Sequence, residues 1–166
     1  MATKDEIASG LQMLIQEARR IAGAFSEDDW ARAHDMDGWR NKETLAHIAA
    51  VGGMVQPMVA GLANAPEGAN PGAGIDIDAL NAATVGQRKD KSVQELTDEI
   101  ATAYSGVIDF VRAAPQEQLD HIVSFRGYEN VPISELLMRM VVLHGLAHIY
   151  SAYSAVFDSK PAVPAR

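Results

Sequence analysis

The chain has 166 residues, 48% of them apolar, with 14 basic and 22 acidic side chains and a net charge of −8. This length suits one domain with a real core, and the composition is that of a globular rather than a disordered chain. No stretch clusters Lys and Arg, which argues against a nucleic-acid backbone or an anionic membrane as partner, and the absence of cysteine excludes disulfides, thiolate metal ligands and a protein thiol nucleophile. The amino terminus, MATKDEIASG, lacks the basic and then apolar pattern of a secretory signal. No run approaches the roughly 18 apolar residues of a membrane span, so the expected location is the cytoplasm.

Ile7, Leu11, Leu14, Ile15, Ala18, Ile21, Ala22 and Phe25 recur at helical spacing and predict a first helix over residues 4–25. Thr3 can cap it, with Glu6 completing a capping box. Residues 26–40, SEDDWARAHDMDGWR, lose the period and read as a loop with a helical turn at Ser26–Trp30. Trp30 and Trp39 are expected to lie over the end of the core. His34, among Asp35 and Asp37, reads as a surface histidine.

A second helix is predicted over 41–63, with Asn41 as its N-cap. Leu45, Ile48, Gly52, Val55, Val59 and Leu62 form one row. Thr44, His47, Val51, Met54 and Met58 form another beside it. Pro57 should kink or divide this helix. Residues 64–75, NAPEGANPGAGI, are a long Gly/Pro/Asn connection, expected to be mobile, as a plain crossover or as a lid.

Two helical pieces follow, about 78–88 and 92–114. Ser92 and Glu95 form a capping box for the second, which ends before Pro115. HIVSFRGYENV alternates weakly around Arg126–Gly127 and suggests a short hairpin. Pro132 suits the first turn of the last helix, which runs to about 157. The sum is an all-α, four-helix bundle with a long crossover connection, one domain over 1–158 with a frayed tail at 159–166.

In the last helix His144 and His148 are four apart, the spacing at which two imidazoles on one face can grip one metal ion. Ile133, Leu137, Met140, His144, Ala147, His148, Ser151 and Ala155 follow steps of three and four, which places both histidines on the expected buried stripe. His47 lies on the second row of the second helix. If those helices are neighbours, three imidazoles meet in the bundle core, an arrangement that suits catalytic zinc with an open fourth position. Nickel, iron or manganese could occupy the same donors. The alternative is a set of core histidines satisfied by ordinary hydrogen-bond acceptors.

GWRNKETLAHIAA, DIDALNAATVGQRKDKSVQEL and LLMRMVVLHGLAHIYSA resemble the DinB/YfiT-like superfamily of metalloenzymes, over about residues 5–157. The GW-x5-L-x-H block and the histidine pair are the more specific parts. The resemblance implies a four-helix bundle, often dimeric, with a metal held by a histidine of the second helix and two residues of the fourth. Those positions match His47, His144 and His148. DALNAATVGQRKDKS is similar to the mycothiol-dependent maleylpyruvate isomerase branch. In that branch the first helix-four ligand is typically glutamate, where this chain has His144, and a larger C-terminal domain follows that is not expected here. The departure favours the three-histidine type, which includes bacillithiol transferases. The family's name refers to induction by DNA damage and implies no binding to DNA.

A zinc ion lowers the pKa of bound water or thiol. Without cysteine in the chain, a thiol would have to arrive as a low-molecular-weight cosubstrate. The expected function is therefore a thiol-dependent S-transferase or isomerase acting on a small-molecule substrate. Metal-assisted hydrolysis is the nearer alternative, and a non-catalytic binding bundle the other. Glu43, one turn before His47, is a candidate general base, or simply a carboxylate facing the helix dipole. Asn81 and Arg88 are candidates, by the resemblance, for the polar part of a thiol cosubstrate; a solvated helix face is the plainer reading of Arg88. Tyr150 and Tyr153 are expected to pack or point to solvent, His121 to lie at the surface, and Met54, Met58, Met138 and Met140 to fill core or an apolar substrate wall. The broad apolar helix faces suggest a homodimer.

Overall fold

Thr3 starts the first helix by the expected reciprocal cap. Its hydroxyl accepts the Glu6 N–H at 3.2 Å, and the Glu6 carboxylate accepts the Thr3 N–H at 2.8 Å. The computed structural model describes residues 1–33, 38–66 and 68–158; His34, Asp35, Asp37 and the tail at 159–166 lie outside them. Helix α1 spans Lys4–Ala24, and all the apolar residues expected to face the core are buried except Ala22, which is half-buried. The short helix α2, Glu27–Ala31, is capped by Ser26 with Asp29, and Trp30 is buried against Phe25 with ring centroids 4.9 Å apart.

Helix α3 spans Asn41–Ala63 and runs unbroken through Pro57, which therefore does not divide it. Arg40, not Asn41, is its N-cap. Asn41 is the first helical residue and is buried, and its amide donates to the Asp29 carbonyl at 2.8 Å, tying the start of α3 to α2. A polar side chain with a nearby buried carbonyl gains more from that bond than from an exposed cap.

The crossover contains helix α4, Ile77–Gly86, capped by Asp76. Helix α5 spans Val93–Ala113 with the Ser92/Glu95 box. A short helix α6, Gln116–Asp120, leads into an antiparallel hairpin of β1, Ile122–Phe125, and β2, Tyr128–Pro132. Ile122 pairs with Pro132, Val123 with Val131 and Phe125 with Tyr128. Arg126 turns the chain with φ 57°. The connection after α3 is docked on this hairpin: Asn70 donates to the Arg126 carbonyl at 3.0 Å and accepts its N–H at 2.8 Å. At Gly72 a Cβ would stand 2.8 Å from the Phe125 ring, so only glycine permits the approach. Pro66, Gly68 and Ala69 of this segment line a cleft beside the hairpin together with Leu62, Asp120, His121 and Val123.

The last rod is helix α7, Ile133–Leu137, a π-helical stretch at Met138–Leu143, and helix α8, His144–Phe157. Each i→i+5 turn takes in one residue more than an α turn and rotates everything after it. The buried stripe is accordingly Ile133, Leu137, Val141, Gly145, Ile149, Ala152 and Val156. The expected stripe is corrected in part: His144 and Ala147 are exposed, and Met140, Ser151 and Ala155 are half-buried, whereas Ile133, Leu137 and His148 are buried as expected.

The long helices pack in a ring. α1 lies against α5 and the last rod, and α3 lies against α5 and the last rod. Leu11, Leu14, Ile48, Val55, Ile100, Tyr104, Leu137 and Ile149 meet in the shared core. By length and composition α3 and the last rod are each apolar enough to cross a membrane, contrary to the expectation from the bare runs. In this fold their apolar stripes line the bundle interior instead.

Candidate metal centre

Because α3 and α8 are neighbours, His47 from the first turns of one meets His144 and His148 from the start of the other. The Nε2 atom of His144 stands 3.1 Å from Nε2 of His47 and 3.1 Å from Nε2 of His148. One nitrogen from each of the three imidazoles lies within 4.8 Å of the other two. His47 and His148 are 4% and 2% exposed, while His144 opens to solvent, so two donors stand inside the core and one at its mouth.

Each imidazole nitrogen has one in-plane position, a proton or a lone pair. His144 Nε2 faces two other nitrogens, and no choice of tautomers gives both contacts a well-aligned hydrogen bond of its own. A cation among three lone pairs resolves the conflict. Zn–N bonds of about 2.0–2.1 Å at a tetrahedral angle require nitrogens about 3.3 Å apart, close to the spacing found here. The residues present therefore fit a divalent metal held through three Nε2 atoms. Burial, then the charges that His148 and His144 would carry, push the His47 imidazole down to about 3. It is therefore neutral, as a ligand must be, throughout the physiological range.

Trp39 was not singled out by the sequence reading as part of the site. Its indole centroid lies 4.8 Å from the His47 ring and 6.1 Å from the His148 ring, nearly parallel to the latter at 16°. Trp39 thus walls the histidine triad, whereas Trp30 covers the core end as expected. The signal available in the sequence was the GW-x5-L-x-H block itself, which sets an indole one residue before the capping residue of the ligand-bearing helix.

The other candidates lie elsewhere. Glu43 accepts the Arg40 N–H at 2.8 Å, the role of a first-turn carboxylate. Arg88 is engaged by Glu99, at 2.7 Å and 2.9 Å, and by the Thr84 carbonyl. Its side chain is 17% exposed, so it does not lie on a solvated face. Asn81 is half-buried on α4, and neither it nor Arg88 hydrogen-bonds to the triad among the described residues. Tyr150 points to solvent, and Tyr153 packs on Phe157 under the Arg20 guanidinium. His121 is exposed and lines the hairpin cleft, beside Leu62, which is about 22 Å along α3 from His47 at 1.5 Å per residue.

A family model described as the DinB superfamily matches residues 11–151. A search of curated proteins found no match. Among solved structures, the chain is similar to a histidine-to-alanine mutant of mycothiol-dependent maleylpyruvate isomerase, with 16% identity and a TM-score of 0.64. The likeness covers 88% of this chain and 62% of that one, so the chain spans under two thirds of its neighbour's length. At that identity the likeness is one of fold.

Proposed function

Since the chain belongs to the DinB superfamily, we propose that it is a metal-dependent enzyme, a thiol-dependent S-transferase or isomerase that binds its ion through His47, His144 and His148. The observation that carries this reading is the convergence of three Nε2 atoms from two helices, with one of the three at an open mouth. A structural zinc site is normally closed by four protein ligands, and among the described residues the cluster holds three. When bound there, a divalent metal supplies Lewis acidity that eases loss of a proton from a coordinated thiol or water.

The chain's own residues divide the remaining work. His47 and His148, inside the core, fix the position of the ion. His144, at the mouth, sits where a substrate would enter. Trp39 excludes water from one side of the triad. No cysteine is available, so the thiol would come as a small-molecule cosubstrate. The name of the structural neighbour includes such a thiol and gives the direction for the assay. Zinc is the first choice of metal, with nickel, iron and manganese open to the same donors. A reduced pool of small thiols suits a cytoplasmic setting. Leu143 at 54% and Tyr150 at 71% exposure, with Ala147 between them, leave an apolar strip on the last rod beside the mouth, and we assign this face to a homodimer contact.

Elemental analysis of protein purified without an affinity tag, compared with His144→Ala, tests the centre: about one ion per chain is expected in the first and a clear loss in the second. Equal metal in both removes the site. A scan of small thiols against electrophiles then separates transferase from hydrolase, since a hydrolase turns over with water alone.

A further inference from the structure

We propose that Trp39 is a positioning residue that holds His47 for the metal by ring packing, in the place a hydrogen bond usually takes. The inference rests on the metal-centre reading above. A ligating histidine almost always donates its second ring N–H to a carboxylate, carbonyl or water, which fixes both tautomer and ring plane. His47 is 4% exposed, yet its Nδ1 has no partner among the described residues. What lies against the ring instead is the indole of Trp39, 4.8 Å away and inclined at 55°. The same indole lies beside His148, so one flat side chain braces both buried donors.

The backbone around Trp39 is built to hold it. Gly38 turns the chain with φ 68°. Arg40 pairs with Ala33 in an isolated antiparallel bridge, and the Asn41 N–H donates to the Arg32 carbonyl at 2.9 Å. The Arg40 N–H is held by Glu43 at 2.8 Å. Glu43 therefore serves the centre indirectly, by fixing the residue that follows Trp39. An indole has only two side-chain torsions, so a fixed backbone leaves it little freedom.

The test compares wild type with Trp39→Ala, Trp39→Leu and Trp39→Phe, and with Trp30→Phe as a control away from the triad. Zn2+ affinity is read by competition with a chelator, and ligand geometry by the visible absorption of the Co2+-loaded protein. Trp39→Ala and Trp39→Leu should bind about 10–100-fold more weakly, the usual cost of losing an orienting partner, with an altered Co2+ spectrum. Leu keeps apolar bulk and so preserves the fold if Ala does not. Trp39→Phe, which restores a flat ring, should recover most of both, and Trp30→Phe should change neither. Unchanged affinity and spectrum in Trp39→Leu overturn the proposal while leaving the metal centre standing. If wild type binds no more metal than His144→Ala, the metal-centre reading fails. The brace is then judged on the metal-free protein by the ring-nitrogen resonances of His47. These should shift and broaden in Trp39→Leu, and unchanged resonances overturn the proposal.

Discussion

Replacing His47 by leucine should strengthen the metal-free fold while abolishing the metal site. The imidazole is buried, with Nδ1 unpartnered among the described residues, and an orphaned buried polar group costs about 1–3 kcal/mol. A leucine of similar volume removes that cost. In a chain of this size each kcal/mol moves Tm by about 2–4 °C, so His47→Leu should melt several degrees higher after chelation at neutral pH. Acid should widen the difference. The unfolded imidazole titrates at its ordinary 6.5, whereas burial and its two neighbours push the folded group down to about 3. The unfolded state thus binds more protons between those values, and wild type loses stability as pH falls below 6.5, until the folded group itself protonates near 3. At 1.36 kcal/mol per pKa unit this amounts to about 2 kcal/mol by pH 5, a loss the leucine variant does not share. Added Zn2+ should reverse the order at pH 7, because at a thousandfold excess over Kd binding stabilises wild type by about 4.1 kcal/mol and leaves the variant unmoved. Urea denaturation of chelated protein at pH 7 and pH 5 reads both effects. A variant less stable than wild type at both, or a gap that does not grow on acidification, would refute the reasoning.

Metal should be retained on dialysis at pH 8 and released at pH 5, since protons compete for the donor nitrogens; equal retention at both would count against histidine ligation. Gly52→Ala places a methyl 2.9 Å from the Tyr104 ring and 3.0 Å from Ala103. That ring is fully buried with its hydroxyl donating to the Ile48 carbonyl at 3.0 Å. Overpacking of about 1–3 kcal/mol should therefore outweigh the gain of about 1 kcal/mol in helix propensity and lower Tm; a rise would show that the ring yields. Arg88→Ala should cost at most about 1 kcal/mol, because Glu99 keeps Lys91 at 2.6 Å, and should leave thiol affinity unchanged. A drop in that affinity would return Arg88 to the cosubstrate site.

The helices were legible where a strong period met a strong boundary signal. Thr3 with Glu6 and Ser92 with Glu95 fixed two helix starts, and both reciprocal caps are present. The row Leu45, Ile48, Gly52, Val55, Val59 and Leu62 is buried throughout. The Arg126–Gly127 turn was also readable, because a break in weak alternation is local. Asn41 misled because its partner, the Asp29 carbonyl, lies twelve residues back and reaches it only through tertiary packing. The docking of the Gly/Pro connection was hidden for a similar reason: the Asn70–Arg126 pair that holds it spans 56 positions of sequence.

The three histidines were found because spacing within a helix and the row on α3 are both periodic signals. Their environments were not, because the π-helical stretch at Met138–Leu143 inserts a phase slip that no 3.6-residue count anticipates. That slip has a chemical consequence. On an uninterrupted α-helix the stripe through Ile133 and Leu137 would have carried His144 inward with His148, giving a triad sealed inside the bundle. Rotated by the π turns, α8 instead buries Gly145, whose missing side chain lets Leu14 close against the helix, and turns His144 toward solvent. Two donors in the core can set the position of an ion with little freedom, and a third at the surface leaves a route to it. The underwound π stretch just before His144 is therefore what leaves one of the three imidazoles exposed and the other two buried.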